Sequence, residues 1–230
     1  MIDRTVSVTG PDGAFDAYLS IPSGVGPWPA AIVLQEIFGV NAVIRGACAW
    51  LAANGYLAIA PDLFWRQAPG VQLDESERDA AMALMKGLDE GLAVADCEAV
   101  LDHVRALPES TGKAGAVGYC LGGKLAFLMA ARTSIDAAVS YYGVGIQNAL
   151  ELAPSVRCPL LLHIGTQDPL CPPDAQARIA DALGGSPSVE LETYTAGHAF
   201  ARSGSPAYSA PHAGRANAVT LTFLGRSLAS

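Results

Sequence analysis

Nine residues near the middle of the chain, Gly115-Ala116-Val117-Gly118-Tyr119-Cys120-Leu121-Gly122-Gly123, leave few architectures open. The stretch begins as a small apolar strand and ends in glycines. A helix-like apolar run, Lys124-Leu125-Ala126-Phe127-Leu128-Met129-Ala130, follows. Its core is G-x-C-x-G, the strand-to-helix elbow G-x-S-x-G with cysteine for serine. A nucleophile thrust out on so tight a turn has a strained backbone, and side chains at 118 and 122 would collide with the neighbouring strand and helix. The helix that starts there aims its first amides at the sulfur. Its dipole favours a thiolate, and the same donors can hold an oxyanion. Cysteine is also among the most buried residue types, so the pattern alone fits an inert core thiol as well.

The rest of the chain alternates strand and helix. Thr5–Val8 and Phe15–Ile21 flank Gly10-Pro11-Asp12-Gly13, a turn signal, and predict an antiparallel hairpin. Buried-type strands are expected at 30–35, 56–60, 137–143, 159–165 and 189–194. Helices are expected from Asn41 to Ala53, from Asp74 with Glu77 completing a capping box, from Val94 to Leu107, after the elbow, from an Asp174 cap to Leu183, and from Gly214 to Leu228. Neither an internal repeat nor an interdomain linker interrupts the pattern. The expectation is an α/β fold in one domain over residues 1–230, with a mostly parallel central sheet and helices on both faces.

Bulk properties narrow the function. Of the 230 residues, 51% are hydrophobic and 16% charged, which suits a compact globular protein rather than a disordered chain. The net charge of −8 argues against nucleic acid or an anionic membrane as partner. No apolar run is long enough to span a bilayer and the first residues lack a signal-peptide pattern. Five cysteines, an odd number without CxxC or zinc-ligand spacing, point to a reducing cytoplasm and to no metal. Cys48, Cys97 and Cys158 sit in apolar surroundings and read as core.

Three chemical groups stand at the C-terminal ends of successive strands: Cys120, Asp168 and His198. Their order in the chain, nucleophile then acid then histidine, is that of the α/β-hydrolase fold. In that reading His198 takes the thiol proton and Asp168 orients the imidazole. The thiolate attacks an acyl carbon, and the backbone N–H groups of Leu121 and Ile37 receive the oxyanion. Taken alone, Asp168 also fits a turn residue. Glu36, just past the strand at 30–35, stands where open α/β sheets bind ligands, or is a solvated loop glutamate. Arg78, Met82 and Met85 share a helix face, which reads either as core with a snorkelling arginine or as a substrate wall. His163, mid-strand, reads as structural, as do His103 and His212.

Several stretches together resemble the dienelactone hydrolase (carboxymethylenebutenolidase) family: Gln35-Glu36-Ile37-Phe38-Gly39-Val40-Asn41, Pro61-Asp62-Leu63, Gly118-Tyr119-Cys120-Leu121-Gly122-Gly123, Tyr141-Tyr142-Gly143 and Gly197-His198-Ala199-Phe200-Ala201-Arg202. The resemblance covers nearly the whole chain. It implies a monomeric α/β-hydrolase without cofactor that opens dienelactones to maleylacetate. It also implies a Cys-His-Asp triad at Cys120, His198 and Asp168. A glutamate near the thiol corresponds to Glu36, and two arginines that bind the carboxylate of a small anionic lactone correspond to Arg78 and Arg202. Met82 and Met85 depart from the pattern, because the family commonly carries aromatic side chains on that helix. Methionine is more adaptable and lacks a hydroxyl donor, so a different or broader lactone is expected to fit.

A carboxylate beside a thiol opposes thiolate formation. Glu36 would then keep Cys120 a neutral, oxidation-resistant thiol until an anionic substrate, held by Arg78 and Arg202, displaces it. An esterase or thioesterase of other small acids is the alternative within the same chemistry. A redox-active thiol protein is the alternative outside it.

Overall fold

The structure is a computed structural model and describes residues 1–229. These group into two compact units, Met1–Ala116 and Val117–Ala229.

The first unit opens with the expected hairpin, longer than the sequence pattern at its outer ends. β1 (Ile2–Gly10) pairs antiparallel with β2 (Gly13–Ile21), from Ile2 opposite Ile21 to Gly10 opposite Gly13. The outer residues of β1 were illegible because its side chains are almost all exposed, so no alternation marks them. β3 (Trp28–Leu34) and β4 (Leu57–Pro61) run parallel to each other, and β2 lies antiparallel on the far side of β4. The order is thus β1-β2-β4-β3. Ala30 to Leu34 and all of β4 are buried, as a continuous apolar run requires.

Three helices belong to this unit. α1 (Ala42–Ala53) starts where Asn41 caps it, accepting from the amides of Val43 and Ile44. The Asp74/Glu77 capping box forms, but it heads a 3-10 turn over Glu75–Glu77, and α2 (Arg78–Lys86) begins only after it. α3 (Glu90–Arg105) starts four residues before the expected Val94. Its first turn buries only Ala93, so periodicity does not mark it; the side chain of Asp89, accepting from Gly91 and Leu92, does.

The irregular connection after β4 is pinned to α3 by Asp96, which is fully buried. Asp96 accepts from Trp65 Nε1 at 2.9 Å and from Arg66 Nη2 at 3.0 Å, and the Arg66 guanidinium lies 4.4 Å from the centre of the Trp65 ring. A buried carboxylate is tolerated there because it is paired and hydrogen-bonded. β5 (Ser110–Tyr119) begins in this unit, and its end, Val117 to Tyr119, belongs to the next.

In the second unit β6 (Ala137–Tyr141), β7 (Leu160–Gly165) and β8 (Val189–Tyr194) are parallel neighbours in that order. α4 (Leu121–Arg132) follows β5, α5 (Pro173–Leu183) follows β7, and α6 (Ala210–Ser227) follows β8. Asp174 does not cap α5. It lies within the first turn, and the cap position is Pro172, with Pro173 supplying a preset φ at the start. α6 begins four residues before Gly214, again behind a proline, Pro211, in its first turn.

A buried polar chain ties this unit together. His163 on β7 contacts the Tyr194 hydroxyl through Nδ1 and the Thr220 hydroxyl through Nε2, both at 2.9 Å. Thr220 meets the Tyr141 hydroxyl at 2.7 Å, and that hydroxyl donates to Asn217 at 3.0 Å. Two parallel strands, the end of β8 and α6 thereby share one satisfied network. His163 is structural, as its mid-strand position indicated, and burial pushes its pKa down to about 3.

Candidate active site

Tyr119 ends β5 and Leu121 starts α4, so Cys120 alone turns the corner. Its φ is 55° and its ψ −112°, a region that L side chains rarely occupy. The neighbouring glycine is required: a Cβ at Gly118 would fall 1.8 Å from the carbonyl oxygen of Gly122. A Cβ at Gly123 would fall 2.7 Å from Cα of Gly143. Backbone bonds hold the strained residue on both sides. The Cys120 amide donates to Tyr141 at 3.0 Å, and its carbonyl accepts from Val144 at 3.1 Å and from Gly123 at 3.0 Å. The Leu121 amide stands at the first helical position of α4, where backbone donors have no partner in their own helix. That position suits it to the oxyanion role.

Asp168 lies in the loop after β7 and is 3% exposed. It sits in a turn and also meets a histidine. Its Oδ1 accepts from the Leu170 amide at 2.8 Å, and its backbone joins Gly165 and Cys171 in a tight turn. Its Oδ2 lies 2.8 Å from Nδ1 of His198. A carboxylate only accepts, so Nδ1 carries the proton and the lone pair of a neutral ring is on Nε2. The imidazole is thus set in the tautomer that a general base needs. The loop that carries the acid is braced from α5, where Gln176 Nε2 donates to the Cys171 carbonyl at 2.7 Å. Cys171 itself is buried, and burial beside Asp168 and Asp174 raises its thiol to about 11, which disfavours the thiolate.

His198 sits in the loop after β8, with its side chain 18% exposed. Arg202, one turn further on, is buried, and its amide donates to the Ala199 carbonyl at 3.0 Å. Tyr142 was quoted in the sequence only as part of a resembling stretch. Its ring is edge-to-face with His198, the centroids 5.2 Å apart at 72°, and its φ is 41°. Nothing local in the sequence announces a tyrosine in a left-handed conformation.

The remaining sequence candidates lie in the first unit. Glu36 is not a solvated loop residue: it lies two residues past the end of β3 and is 3% exposed. Ile37 beside it is buried as well. Arg78 opens α2 on the surface and pairs with Glu75 at 3.1 Å, while Met82 and Met85 of the same helix are half-buried. No group of three or more His, Cys, Asp or Glu side chains able to hold a metal occurs among the described residues. All five cysteines are buried and none is in a disulfide. No helix among the described residues is long and apolar enough to cross a membrane.

The chain is 43% identical over 229 residues to a carboxymethylenebutenolidase of Pseudomonas putida, with 97% of each chain covered. It is 39% identical over 228 residues to carboxymethylenebutenolidase 1 of Cupriavidus pinatubonensis, again with 97% of each covered. Among solved structures, one from Klebsiella pneumoniae subsp. pneumoniae superposes with a TM-score of 0.87 at 28% identity over 98% of both chains. A dienelactone hydrolase from Anabaena variabilis shares the fold at a TM-score of 0.74 and 20% identity, over 99% of this chain and 98% of that one. The architecture is accordingly the α/β-hydrolase fold expected from the order of Cys120, Asp168 and His198. Residues 15–228 match the model of one hydrolase family, and with these relatives beside it the chain belongs to the dienelactone hydrolase family.

Proposed function

We propose that the protein opens dienelactone (4-carboxymethylenebut-2-en-4-olide), or a similar carboxylate-bearing enol lactone, to maleylacetate through a Cys120-His198-Asp168 triad. The observation that carries the reading is the 2.8 Å Asp168–His198 hydrogen bond in the same unit as a cysteine held at φ 55° on a strand-to-helix elbow. The names of the relatives support the substrate.

The chemistry runs in two halves. His198 Nε2 accepts the thiol proton, and the thiolate adds to the lactone carbonyl. The oxyanion is received by the amides of Leu121 and Ile37. The ring C–O bond then breaks and expels an enolate, which takes a proton and becomes a ketone. Because the leaving group stays attached, the acyl-enzyme retains every atom of the lactone. Water, deprotonated by His198, cleaves the thioester and regenerates the thiol. An enolate leaves readily, so a thiolate suffices where an amide would resist it.

In this proposal Arg78 and Arg202 bind the substrate carboxylate. Glu36 takes up the role the resemblance implies, holding Cys120 protonated until substrate arrives. Neither metal nor cofactor takes part, and a single chain is the working unit. The decisive experiment follows the loss of dienelactone absorbance with wild type and Cys120→Ala. Rapid loss with the wild type and none above background with the variant supports the reading. A redox thiol would instead show peroxide reactivity abolished by the same substitution, and no lactone opening in either form.

A further inference from the structure

Tyr142 has a backbone conformation that costs free energy and a ring placed against the catalytic base. A bulky residue at φ 41° lies in the left-handed region that L side chains rarely adopt, and such strain persists only when the surroundings over-determine it. Three observations show what does so. The Tyr142 amide donates to the His163 carbonyl at 2.8 Å. Gly143, next in line, leaves no room to relax: a Cβ there would meet Ser140 Oγ at 2.5 Å and Ile146 Cδ1 at 2.7 Å. The residues on either side, Tyr141 and Val144, make the two backbone bonds that clasp Cys120. The ring is also fixed from behind, edge-to-face with Phe200 at 5.5 Å, and Phe200 is fully buried.

We infer that Tyr142 is a positioning residue for His198: its ring is the wall that fixes the plane of the imidazole, and the turn that carries it is the same one that holds the backbone of Cys120. The inference rests on the triad proposed above and adds a member to it. Asp168 fixes one ring nitrogen of His198 but leaves the ring able to pivot about that hydrogen bond. An edge-to-face neighbour removes the pivot. The charged group that meets the ring is Asp168 from the loop after β7; Arg202 lies four residues further along the ring's own loop, and Cys120, at the head of α4, is the thiol the proposed triad pairs with it. None of them restrains the imidazole plane as an aromatic wall does. A strained tyrosine on one turn thereby sets the nucleophile and the base relative to each other.

The test compares Tyr142→Phe and Tyr142→Leu with wild type in two assays. One is dienelactone turnover. The other is the pH dependence of Cys120 alkylation by iodoacetamide, with Cys120→Ser as the blank. If the wall is what matters, Tyr142→Phe stays within about threefold of wild type in both. Tyr142→Leu loses about ten- to a hundredfold in kcat, the scale of a small misplacement of reacting groups, with KM within about twofold. Its alkylation loses the low-pH component contributed by the imidazole. Should Tyr142→Leu fail to fold, Tyr142→Met fills similar space without a planar ring and is read the same way. The inference is overturned if the ringless variant matches wild type, if Tyr142→Phe is as impaired as Tyr142→Leu, or if KM alone changes. A wild type that opens no lactone would instead overturn the proposed substrate, and the alkylation profiles would still judge Tyr142.

Discussion

Both oxygens of Asp168 are engaged, one on the Leu170 amide and one on His198 Nδ1. Asp168→Asn keeps the shape and the first bond but can present an amide N–H to Nδ1, which favours the opposite tautomer. Turnover is expected to fall by about 10²–10⁴-fold with KM little changed, as steady-state kinetics would read. Arg78 poses the contrasting case. Its side chain is 54% exposed and its ion pair with Glu75 is a surface pair worth little, so Arg78→Ala should leave thermal unfolding within about 0.5 kcal/mol of wild type. If it binds the substrate carboxylate, the same variant raises KM for carboxylated lactones and leaves uncharged esters unaffected. Equal effects on both substrate types would remove Arg78 from the clamp.

β7, β8 and α6 are joined by a histidine that must stay neutral. An unfolded histidine binds its proton near pH 6.5, whereas burial lowers His163 to about 3. Between those values the unfolded state holds more protons, so stability falls as pH drops from about 6.5 towards 3. This one group contributes a slope of up to about 1.4 kcal/mol per pH unit. Above that window its contribution is constant. Urea unfolding at pH 7 and pH 5 should therefore show a smaller pH difference in His163→Gln than in wild type. These elements also show what the sequence could and could not reveal. Glycines at 118 and 122 and apolar runs marked the elbow and the buried strands, because close approach and full burial restrict residue type; the close approach at Gly123 emerged only with the fold. The first turns of α3 and α6 each bury only their fourth residue, Ala93 and Ala213, so no apolar stripe announces them, and only Asp89 and Pro211 mark them. Asp174 has the composition of a cap, yet two prolines before it set the helix start. The placement of Tyr142 against His198 depends on β6 and β8 being neighbours of β7, which is information no local stretch contains.

Among the described residues, β3 and β4 in one unit and β6, β7 and β8 in the other pair in parallel, while β1, β2 and β4 pair antiparallel, in keeping with the alternation of strand and helix. Two carboxymethylenebutenolidases match it over 97% of their own length. Size-exclusion chromatography with light scattering is expected to give the mass of one chain. Prolonged dialysis against a chelator should leave turnover unchanged, since the proposed chemistry uses only side chains and backbone amides. The central claim, that Cys120 and His198 act as one device, is met most directly by a double-mutant cycle on kcat/KM. Cys120→Ala and His198→Gln should each lose about a thousandfold or more, and the double variant should be no slower than the worse single one. Losses that multiply, or a single variant that retains near-wild-type turnover, would contradict it.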